Sequence, residues 1–449
     1  MTGVTGKHPH DADWRNERTV PSLPEVFGSI DVPEKGFWRT LFAFIGPGML
    51  VAVGYMDPGN WATDLAGGAQ FGYLLLSVIL VSNFMAILLQ HLALKLGVAT
   101  GRDLAQACRD AYSRPVALTL WVLAEIAIAA TDLAEVIGSA VALNLLFGLP
   151  LVVGVLLTAA DVLLILVLQH RGFRTIEALV VSLIGVLTLC FAYELVASRP
   201  DLFAVAAGLL PKPEVVTNPS ALYIAIGILG ATVMPHNLYL HSSIVQTRNF
   251  ERTDEGKAAA IKFATLDSTA SLVAAFFVNA AILVLAAAAF HGTPYADVAE
   301  IGDAYGLLTP VLGASLASTL FAVALLASGQ NSTLTGTLSG QIVMEGFLNL
   351  HIAPWLRRLV TRLIAIVPAA LVAARYGVSG ENTLLILSQV ILSLQLSFAV
   401  VPLVMFTSSR AKMGRFVNKP WLVALAWFVT GIIAILNAYL LVVTLMSWL

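Results

Sequence analysis

The sequence predicts an all-α integral membrane protein with eleven membrane-spanning helices. Of its 449 residues, 58% are hydrophobic and only 12% are charged, whereas an average soluble domain carries about 25% charged residues. Apolar stretches long enough to cross a bilayer, about 20 residues each, lie between groups of Lys and Arg. Two of these stretches carry matching proline motifs. The composition excludes a soluble multidomain protein, because so few charges cannot cover its surface.

The 25 Lys and Arg residues divide the chain into spans. None lies between Arg39 and Lys95, which leaves room for two spans. The remaining spans are assigned in the same way, from the apolar stretches between successive basic residues. The predicted spans are residues 42–69, 72–96, 116–146, 150–169, 175–197, 221–246, 265–290, 309–346, 355–374, 384–407 and 420–447.

Basic residues also predict the orientation, since they concentrate on the cytoplasmic side of a membrane. With the N-terminus inside, the tail and inner loops hold 22 Lys and Arg, and the outer loops hold three. Residues 1–36 are predicted to form a polar cytoplasmic tail and residues 37–449 a single transmembrane domain. An odd number of spans places the C-terminus outside the cytoplasmic membrane.

Charge and cysteine content exclude other classes of protein. The net charge is −2 and no basic run exceeds two residues, so nucleic acid is not an expected partner. The two cysteines, Cys108 and Cys190, form neither a disulfide framework nor a zinc motif. No cleaved signal peptide, resident cofactor or obligate protein partner is predicted.

Spans 1 and 6 contain a weak internal repeat. Asp57-Pro58-Gly59-Asn60 aligns with Met234-Pro235-His236-Asn237, 177 residues later. An odd number of helices separates the copies, which is the pattern of an inverted-topology repeat. Repeat one then covers about 42–197, repeat two about 221–407, and the helix at about 420–447 is an addition. Pro58, Gly59 and Pro235 should break both spans at mid-membrane.

The side chains at these breaks predict a metal site. Asp57 offers an anionic oxygen, Asn60 a neutral oxygen and Met234 a thioether. Oxygen ligands alone suit magnesium, calcium and manganese, whereas added sulfur favours softer transition metals. Asp-Pro-Gly-Asn is also an ordinary turn sequence, and a methionine within a helix often only packs. A paired break with a mid-membrane charge, which costs about 3 kcal/mol, makes packing alone a poor explanation.

These motifs resemble the natural resistance-associated macrophage protein (Nramp) family of proton-coupled divalent metal transporters, in its bacterial manganese-importing branch. The resemblance covers about residues 40–447. It is carried by MDPGN at 56–60, ATDLAE at 130–135, GATVMPHNLYLHS at 230–242, SGQNSTLTGTLSGQIVMEGF at 328–347 and SQVILSLQL at 388–396.

The resemblance implies a leucine-transporter-type fold of two inverted five-helix repeats plus one extra helix. It also implies that Mn²⁺ or Fe²⁺ is a transported substrate. Metal binding is implied for Asp57, Asn60 and Met234, with backbone carbonyls near Gly54 and Ala231 and with Gln389 of span 10 in some conformations. One departure from the family is Ser397, where members often carry proline.

Ionisable residues inside the membrane predict a proton pathway, because such residues are costly there unless they serve a function. Asp132 and Glu135 share one face of span 3 with Glu125, and His236 follows Met234 by two residues. A chain from His236 through Glu135 and Asp132 to Arg358 predicts inward proton conduction, and the resemblance implies the same network. Arg357 is a weaker candidate, because both arginines also suit a cytoplasmic anchoring role.

The leading hypothesis is a secondary active transporter that imports manganese, and iron as well, with protons by alternating access. A sodium-coupled organic solute symporter of the same fold is one alternative, although Asp57 would repel a substrate carboxylate. A non-transporting metal sensor is another, although the sequence contains no obvious soluble signalling domain. An intramembrane enzyme is disfavoured because neither a nucleophile–base motif nor HExxH occurs.

Overall fold

The computed structural model describes most of the chain. The described residues are 23, 26–33, 36–158, 172–296, 301–349 and 379–448, together with positions 356, 360, 363, 364, 366, 367, 370 and 371. Seven helices within this part are long and apolar enough to cross a membrane, and one bent helix pair would make an eighth. The count of eleven stays a prediction, because much of the predicted spans 150–169 and 355–374 lies outside the described residues.

The first span consists of three helices rather than two. They are α1 (Phe37–Phe44), α2 (Pro47–Gly54) and α3 (Pro58–Phe71). The expected break lies between α2 and α3. A second break, which the sequence analysis did not predict, bends α1 against α2 by 41°.

The remaining helices of the first half include the predicted spans 2, 3 and 5 and the described beginning of span 4. In chain order they are α4 (Leu76–Thr100), α5 (Leu104–Ala111), α6 (Arg114–Phe147), α7 (Leu151–Thr158), α8 (Phe173–Ser198), α9 (Leu202–Gly208) and α10 (Glu214–Thr217).

The second half begins with the other broken span and ends with the added helix. Its helices are α11 (Pro219–Thr232), α12 (Pro235–Ile244), α13 (Asp254–Phe290), α14 (Ile301–Leu312), α15 (Ala317–Leu348), α16 (Ser379–Thr407), α17 (Arg410–Met413) and α18 (Pro420–Trp448).

Two predicted boundaries are wrong. Span 7 was expected to begin at residue 265, but α13 begins at Asp254, where the Thr253 hydroxyl accepts a hydrogen bond from the Gly256 N–H at 3.2 Å and caps the helix. Span 8 was expected to begin at residue 309. Gly313 instead has a φ of +63°, a conformation that ends helices, so α14 stops before it and α15 starts separately.

A partly buried ionic cluster fixes the bend between α1 and α2. Arg174 and Arg248 each donate to the Ile45 carbonyl at 2.8 Å, which satisfies an acceptor that the helix end leaves open. Both arginines also pair with Glu177, at 3.0 and 2.7 Å. Gly46, with a φ of +140°, allows the turn. The N-terminal end of span 1 is thus held by residues from α8 and from the segment after α12.

The N-terminal segment lies beside this cluster. Strand β1 (Ile30–Asp31) pairs in parallel with β2 (Arg248–Asn249), and the Gly28 N–H donates to the Gln246 carbonyl at 3.1 Å. Arg252 stacks over the rings of Phe27 and Phe250. The last part of the predicted tail therefore packs against the segment that follows the second broken span.

Candidate functional site

The break in span 1 places the side chain of Asp57 at the start of α3. Pro58 occupies the first helical position, where a missing N–H costs nothing, and Asp57 is the N-cap. Its Oδ1 accepts hydrogen bonds from the Asn60 backbone N–H at 2.8 Å and from Asn60 Nδ2 at 2.7 Å. Both side chains are buried. Capping therefore orients the carboxylate and the amide towards each other.

The break in span 6 lies against the same side chains. Asn60 Nδ2 also donates to the Ala231 carbonyl at 3.1 Å, which joins residues 171 positions apart. Ala231 is next to the last residue of α11, and Met234 is the N-cap of α12 without a capping side-chain hydrogen bond. The structure thus brings together Asp57, Asn60 and Ala231, three of the residues that the family resemblance implies for the metal site.

Helix α16 places Gln389 next to this junction. The space that a Cβ atom on Gly59 would need is occupied by the amide of Gln389, so only glycine permits the approach. Gln389 Nε2 donates to Ser388 Oγ at 3.1 Å. Gln389 is fully buried, and its side chain borders the break of span 1.

Three buried oxygen atoms at this junction have no hydrogen-bond partner among the described residues. They are Asp57 Oδ2, Asn60 Oδ1 and Gln389 Oε1. Buried acceptors without partners are costly, and they are uncommon in native proteins. Acceptor oxygens of this kind, one of them anionic, suit a cation.

For Met234 and Gly54, the contacts in the structure are packing contacts and do not indicate a cation. The Met234 side chain is fully buried and packs with Ala130 and Leu392. Gly54 ends α2 and abuts the side-chain amide of Asn237. Packing already accounts for the burial of Met234, so its role as a ligand, like that of the Gly54 carbonyl, stays a prediction.

Side chains satisfy other carbonyls that the break leaves open. Asn279 Nδ2 donates to the Tyr55 carbonyl at 2.7 Å, and Ser328 Oγ donates to the Met56 carbonyl at 2.5 Å. Neither Asn279 nor Ser328 was among the site residues predicted from the sequence. The available signal was a polar side chain within an otherwise apolar span.

The candidate proton-pathway residues on α6 also come together. A Cβ atom on Gly336 of α15 would lie 3.0 Å from Glu135 Oε1 and 3.1 Å from Asp132 Oδ1, so both carboxylates face the same small residue. Thr131 Oγ1 lies 3.4 Å from His236 Nδ1. These contacts connect the α12 side of the site with the carboxylate-bearing face of α6.

The remaining pathway candidates are Glu125, Arg357 and Arg358, and the structure describes only the first of them. Glu125 is only partly buried and accepts a hydrogen bond from Trp121 Nε1 at 3.0 Å. Arg357 and Arg358 lie outside the described residues. The continuation of the pathway towards the cytoplasm therefore stays a prediction.

Two further polar features near the breaks were missed. Gln90 donates to the Tyr55 hydroxyl at 2.9 Å and contacts His241 Nδ1 at 2.9 Å, which links the two broken spans through α4. Asp64 is buried two turns after Asp57 on α3, and its Oδ2 has no hydrogen-bond partner among the described residues. Its seven-residue spacing from Asp57 was the available signal.

The junction differs from a conventional metal cluster. The described residues contain no group of three or more His, Cys, Asp or Glu side chains that could hold a metal ion. One carboxylate, two amides and a nearby backbone carbonyl are the oxygen groups that meet at the breaks. This donor set suits a cation that must also be released.

A family model for natural resistance-associated macrophage protein-like proteins matches residues 48–443, well over half of the chain. The chain belongs to the Nramp family. A relative in Listeria innocua, the divalent metal cation transporter MntH, is 63% identical over 435 residues that cover 97% of each chain. The Nostoc relative of the same name is 62% identical and covers 96% of this chain and 97% of its own length.

Solved structures support the Nramp assignment and the fold. A single-residue variant of the manganese transporter from Eremococcus coleocola has a TM-score of 0.88 and 45% identity, with 93% of this chain and 90% of that chain covered. The nucleobase-cation-symport transporter Mhp1 has a TM-score of 0.58 at 17% identity, covering 90% and 92%, and so shares the fold alone. The predicted fold class is thereby confirmed.

Proposed function

We propose that the protein imports divalent transition metal ions, manganese and also iron, across the cytoplasmic membrane together with protons. The observation that supports this most strongly is the set of buried oxygens at the junction of two broken helices that lack a hydrogen-bond partner among the described residues. The relatives named as divalent metal cation transporters and as a manganese transporter support the same substrate class. The metal is cargo, and no resident cofactor is proposed.

Asp57, Asn60 and Gln389 are proposed to bind the metal, together with Met234 and the carbonyls of Ala231 and Gly54. Asp57 supplies the only formal negative charge in this set, which reduces the cost of dehydrating a divalent cation. The amides and carbonyls supply neutral oxygens, and the thioether disfavours hard ions. Because the ligands come from both broken spans, movement of α2 or α11 changes access to the metal from opposite ends.

Alternating access follows from this arrangement. Helices α1 and α2 cover the junction from the end where the N-terminal segment lies, and α11 covers it from the opposite end. With the N-terminus cytoplasmic and the C-terminus outside, opening of α1–α2 would release the metal inward. Opening of α11 would admit it from outside.

Protons are proposed to move beside the metal through His236, Asp132 and Glu135. Metal binding at Asp57 places a divalent charge next to Thr131 and His236, which favours movement of protons towards the carboxylates on α6. Arg358, with Arg357 and Glu125 as further candidates, would extend the path to the cytoplasm. Metal and proton would thus follow adjacent but separate routes.

Uptake into proteoliposomes tests the proposal. Radiolabelled Mn²⁺ should accumulate in vesicles that contain the parent, and Asp57→Ala should abolish uptake, because it removes the charged ligand. Asp201→Ala is the matched control, since Asp201 caps the largely exposed helix α9 and lies outside the proposed metal site. Parent-like uptake and affinity in Asp57→Ala would show that the metal binds elsewhere.

The same vesicles discriminate between the alternatives. A sodium-coupled organic solute symporter would need a sodium gradient and would not carry Mn²⁺, and a sensor would carry no metal at all. A pH-sensitive dye inside the vesicles reports whether acidification accompanies Mn²⁺ uptake. Mn²⁺ uptake without acidification would support the metal site but contradict the proposed proton coupling.

A further inference from the structure

An apolar groove lies away from the metal junction, between α4, α11 and α18. Its cavity measures about 210 Å³. Val78 and Val81 of α4, Ala225 and Leu229 of α11, and Ile432 of α18 line its walls. Lys212, which precedes α10, lies at its rim and is exposed. We propose that this groove binds one acyl chain of an anionic phospholipid whose phosphate contacts Lys212.

The depth of the groove fits a single lipid leaflet. The α4 residues that line it run from Ser77 to Met85, which corresponds to about 12 Å of helix. Half of a bilayer's hydrocarbon core is about 15 Å thick. The groove begins where α4 and α11 both begin, and it ends against the middle of α18. A chain entering from the headgroup region would therefore run alongside α11 towards the middle of the membrane.

The surface beside the groove has the character of a membrane interface. The connector that contains α9 and α10 exposes several large apolar side chains, including Phe203 (85% exposed) and Leu210 (67% exposed). Apolar side chains exposed beside a lysine are typical of segments in the headgroup region. A lysine there attracts anionic lipid by about 1 kcal/mol.

The charge pattern favours an anionic lipid over a zwitterionic one. Only three Lys or Arg residues occur in the predicted outer loops, and one of them, Lys212, lies at the mouth of the groove. The walls below it are almost entirely apolar, so the phosphate contact and the acyl chain occupy separate zones. A soluble phosphate would gain only the first of these contacts.

Occupancy would act on transport through α11. The groove contacts residues 222–229 of this helix, and the same helix carries Ala231 at the metal junction. An acyl chain between α4, α11 and α18 stabilises the position of α11 seen in the structure. This consequence rests on the proposed function, whereas lipid binding itself does not.

Photolabelling of the full-length protein tests the site without metal. The protein is reconstituted in nanodiscs with phosphatidylglycerol that carries a photoreactive group on its acyl chain, and labelled peptides are identified by mass spectrometry. Labels are expected on the groove-facing parts of α4 and α11. Lys212→Ala should reduce that labelling about fivefold, the equivalent of about 1 kcal/mol, whereas Arg199→Ala should leave it unchanged.

Further arms identify the ligand. Ala225→Leu should block labelling by filling the groove while Lys212 is intact. Unlabelled phosphatidylglycerol should compete, and neither phosphatidylcholine nor glycerol phosphate should do so. The proposal would be overturned if Lys212→Ala and Arg199→Ala lost labelling equally, or if phosphatidylcholine competed as well as phosphatidylglycerol. It would also be overturned by labels distributed evenly around the lipid-facing surface. None of these results depends on metal transport.

Discussion

At the residue scale, Met234 poses the sharpest question, because it is proposed to bind the metal and also packs with Ala130 and Leu392. Calcium and magnesium prefer oxygen ligands, whereas cadmium accepts sulfur readily. We expect Met234→Ala and Met234→Leu to retain some Mn²⁺ transport, gain competition by Ca²⁺ or Mg²⁺ and lose Cd²⁺ affinity. A tenfold change in relative affinity, about 1.4 kcal/mol, is measurable by competition uptake.

The leucine variant separates the two roles of Met234. Leucine preserves the packing volume at small cost but removes the sulfur. If Met234→Leu excludes Ca²⁺ and Mg²⁺ as the parent does, the thioether only packs. Selectivity would then come from the size of the site or the cost of dehydrating the ion.

Gly336 is the residue that makes room for both carboxylates on α6. A methyl group there would approach Glu135 and Asp132 to 3.0 and 3.1 Å, closer than ordinary van der Waals contact. We expect Gly336→Ala to displace them and to reduce the proton flux that accompanies Mn²⁺ uptake, while metal affinity stays at the parent value. Glu135→Gln and Asp132→Asn should act in the same direction.

Gly185→Ala is the control for Gly336→Ala. It adds the same methyl group within α8, where the new Cβ meets no other described residue within 4 Å. Both variants are compared by the dye-reported acidification per Mn²⁺ taken up. Parent-like coupling in Gly336→Ala, Glu135→Gln and Asp132→Asn would remove this pathway from the mechanism.

At the element scale, the bend between α1 and α2 depends on Glu177. Arg248 is fully buried and pairs with Glu177 at 2.7 Å. Removing one partner of a buried pair leaves an uncompensated charge, which costs about 3–5 kcal/mol. We expect Glu177→Ala to lower the thermal unfolding midpoint of the detergent-solubilised protein markedly.

A surface ion pair supplies the control for Glu177→Ala. Arg415 pairs with Asp254 at 3.2 Å, and both side chains are more than half exposed. Such pairs contribute about 0–1 kcal/mol, so Arg415→Ala should barely change the midpoint. Equal midpoints for Glu177→Ala and the parent would mean that other contacts hold the bend.

The added helix α18 is more than an appendage. Asn437 accepts a hydrogen bond from Ser393 Oγ at 2.6 Å, and its Nδ2 donates to the Ser393 carbonyl at 2.5 Å and to Ser397 Oγ at 3.1 Å. Ser397 is the position where family members often carry proline. In this chain the Ser397 hydroxyl instead ties α16 to α18, about two turns beyond Gln389.

At the scale of the whole molecule, the basic-residue asymmetry predicts opposite locations for the two termini. Thr2→Cys should react with an impermeant maleimide only after cells are permeabilised, whereas Leu449→Cys should react in intact cells. The native thiols give little background, because Cys108 and Cys190 are both buried. Burial and the nearby Asp103 also raise the pKa of the Cys108 thiol well above its usual range, which disfavours the reactive thiolate.

Parallel labelling of two single-cysteine variants without the native thiols controls for accessibility. Asn218→Cys lies before α11 and should behave like the C-terminus, and Ser409→Cys lies before α17 and should behave like the N-terminus. Labelling of both termini from the same side would contradict an odd number of spans. It would also weaken the inverted-repeat interpretation.

Much of the fold could be predicted because its determinants are local. Runs of apolar residues identify most spans, and Pro58 and Pro235 identify both breaks whatever surrounds them, since proline lacks the N–H that a continuous helix needs. The Asp57–Asn60 contact follows from the capping geometry of four consecutive residues. The bend at Gly46 was missed because its cause lies in Glu177 and two arginines that are distant in sequence.

The sequence by itself determined the family, the fold class and the pair of broken spans that form the candidate site. Only the tertiary structure decided which groups surround those breaks. Asn279 and Ser328 satisfy the carbonyls of Tyr55 and Met56, Gln389 fills the space beside Gly59, and Gly336 accommodates two carboxylates. The physical reason is that helix periodicity and proline act within a few residues, whereas a buried polar group finds its partner through packing between helices.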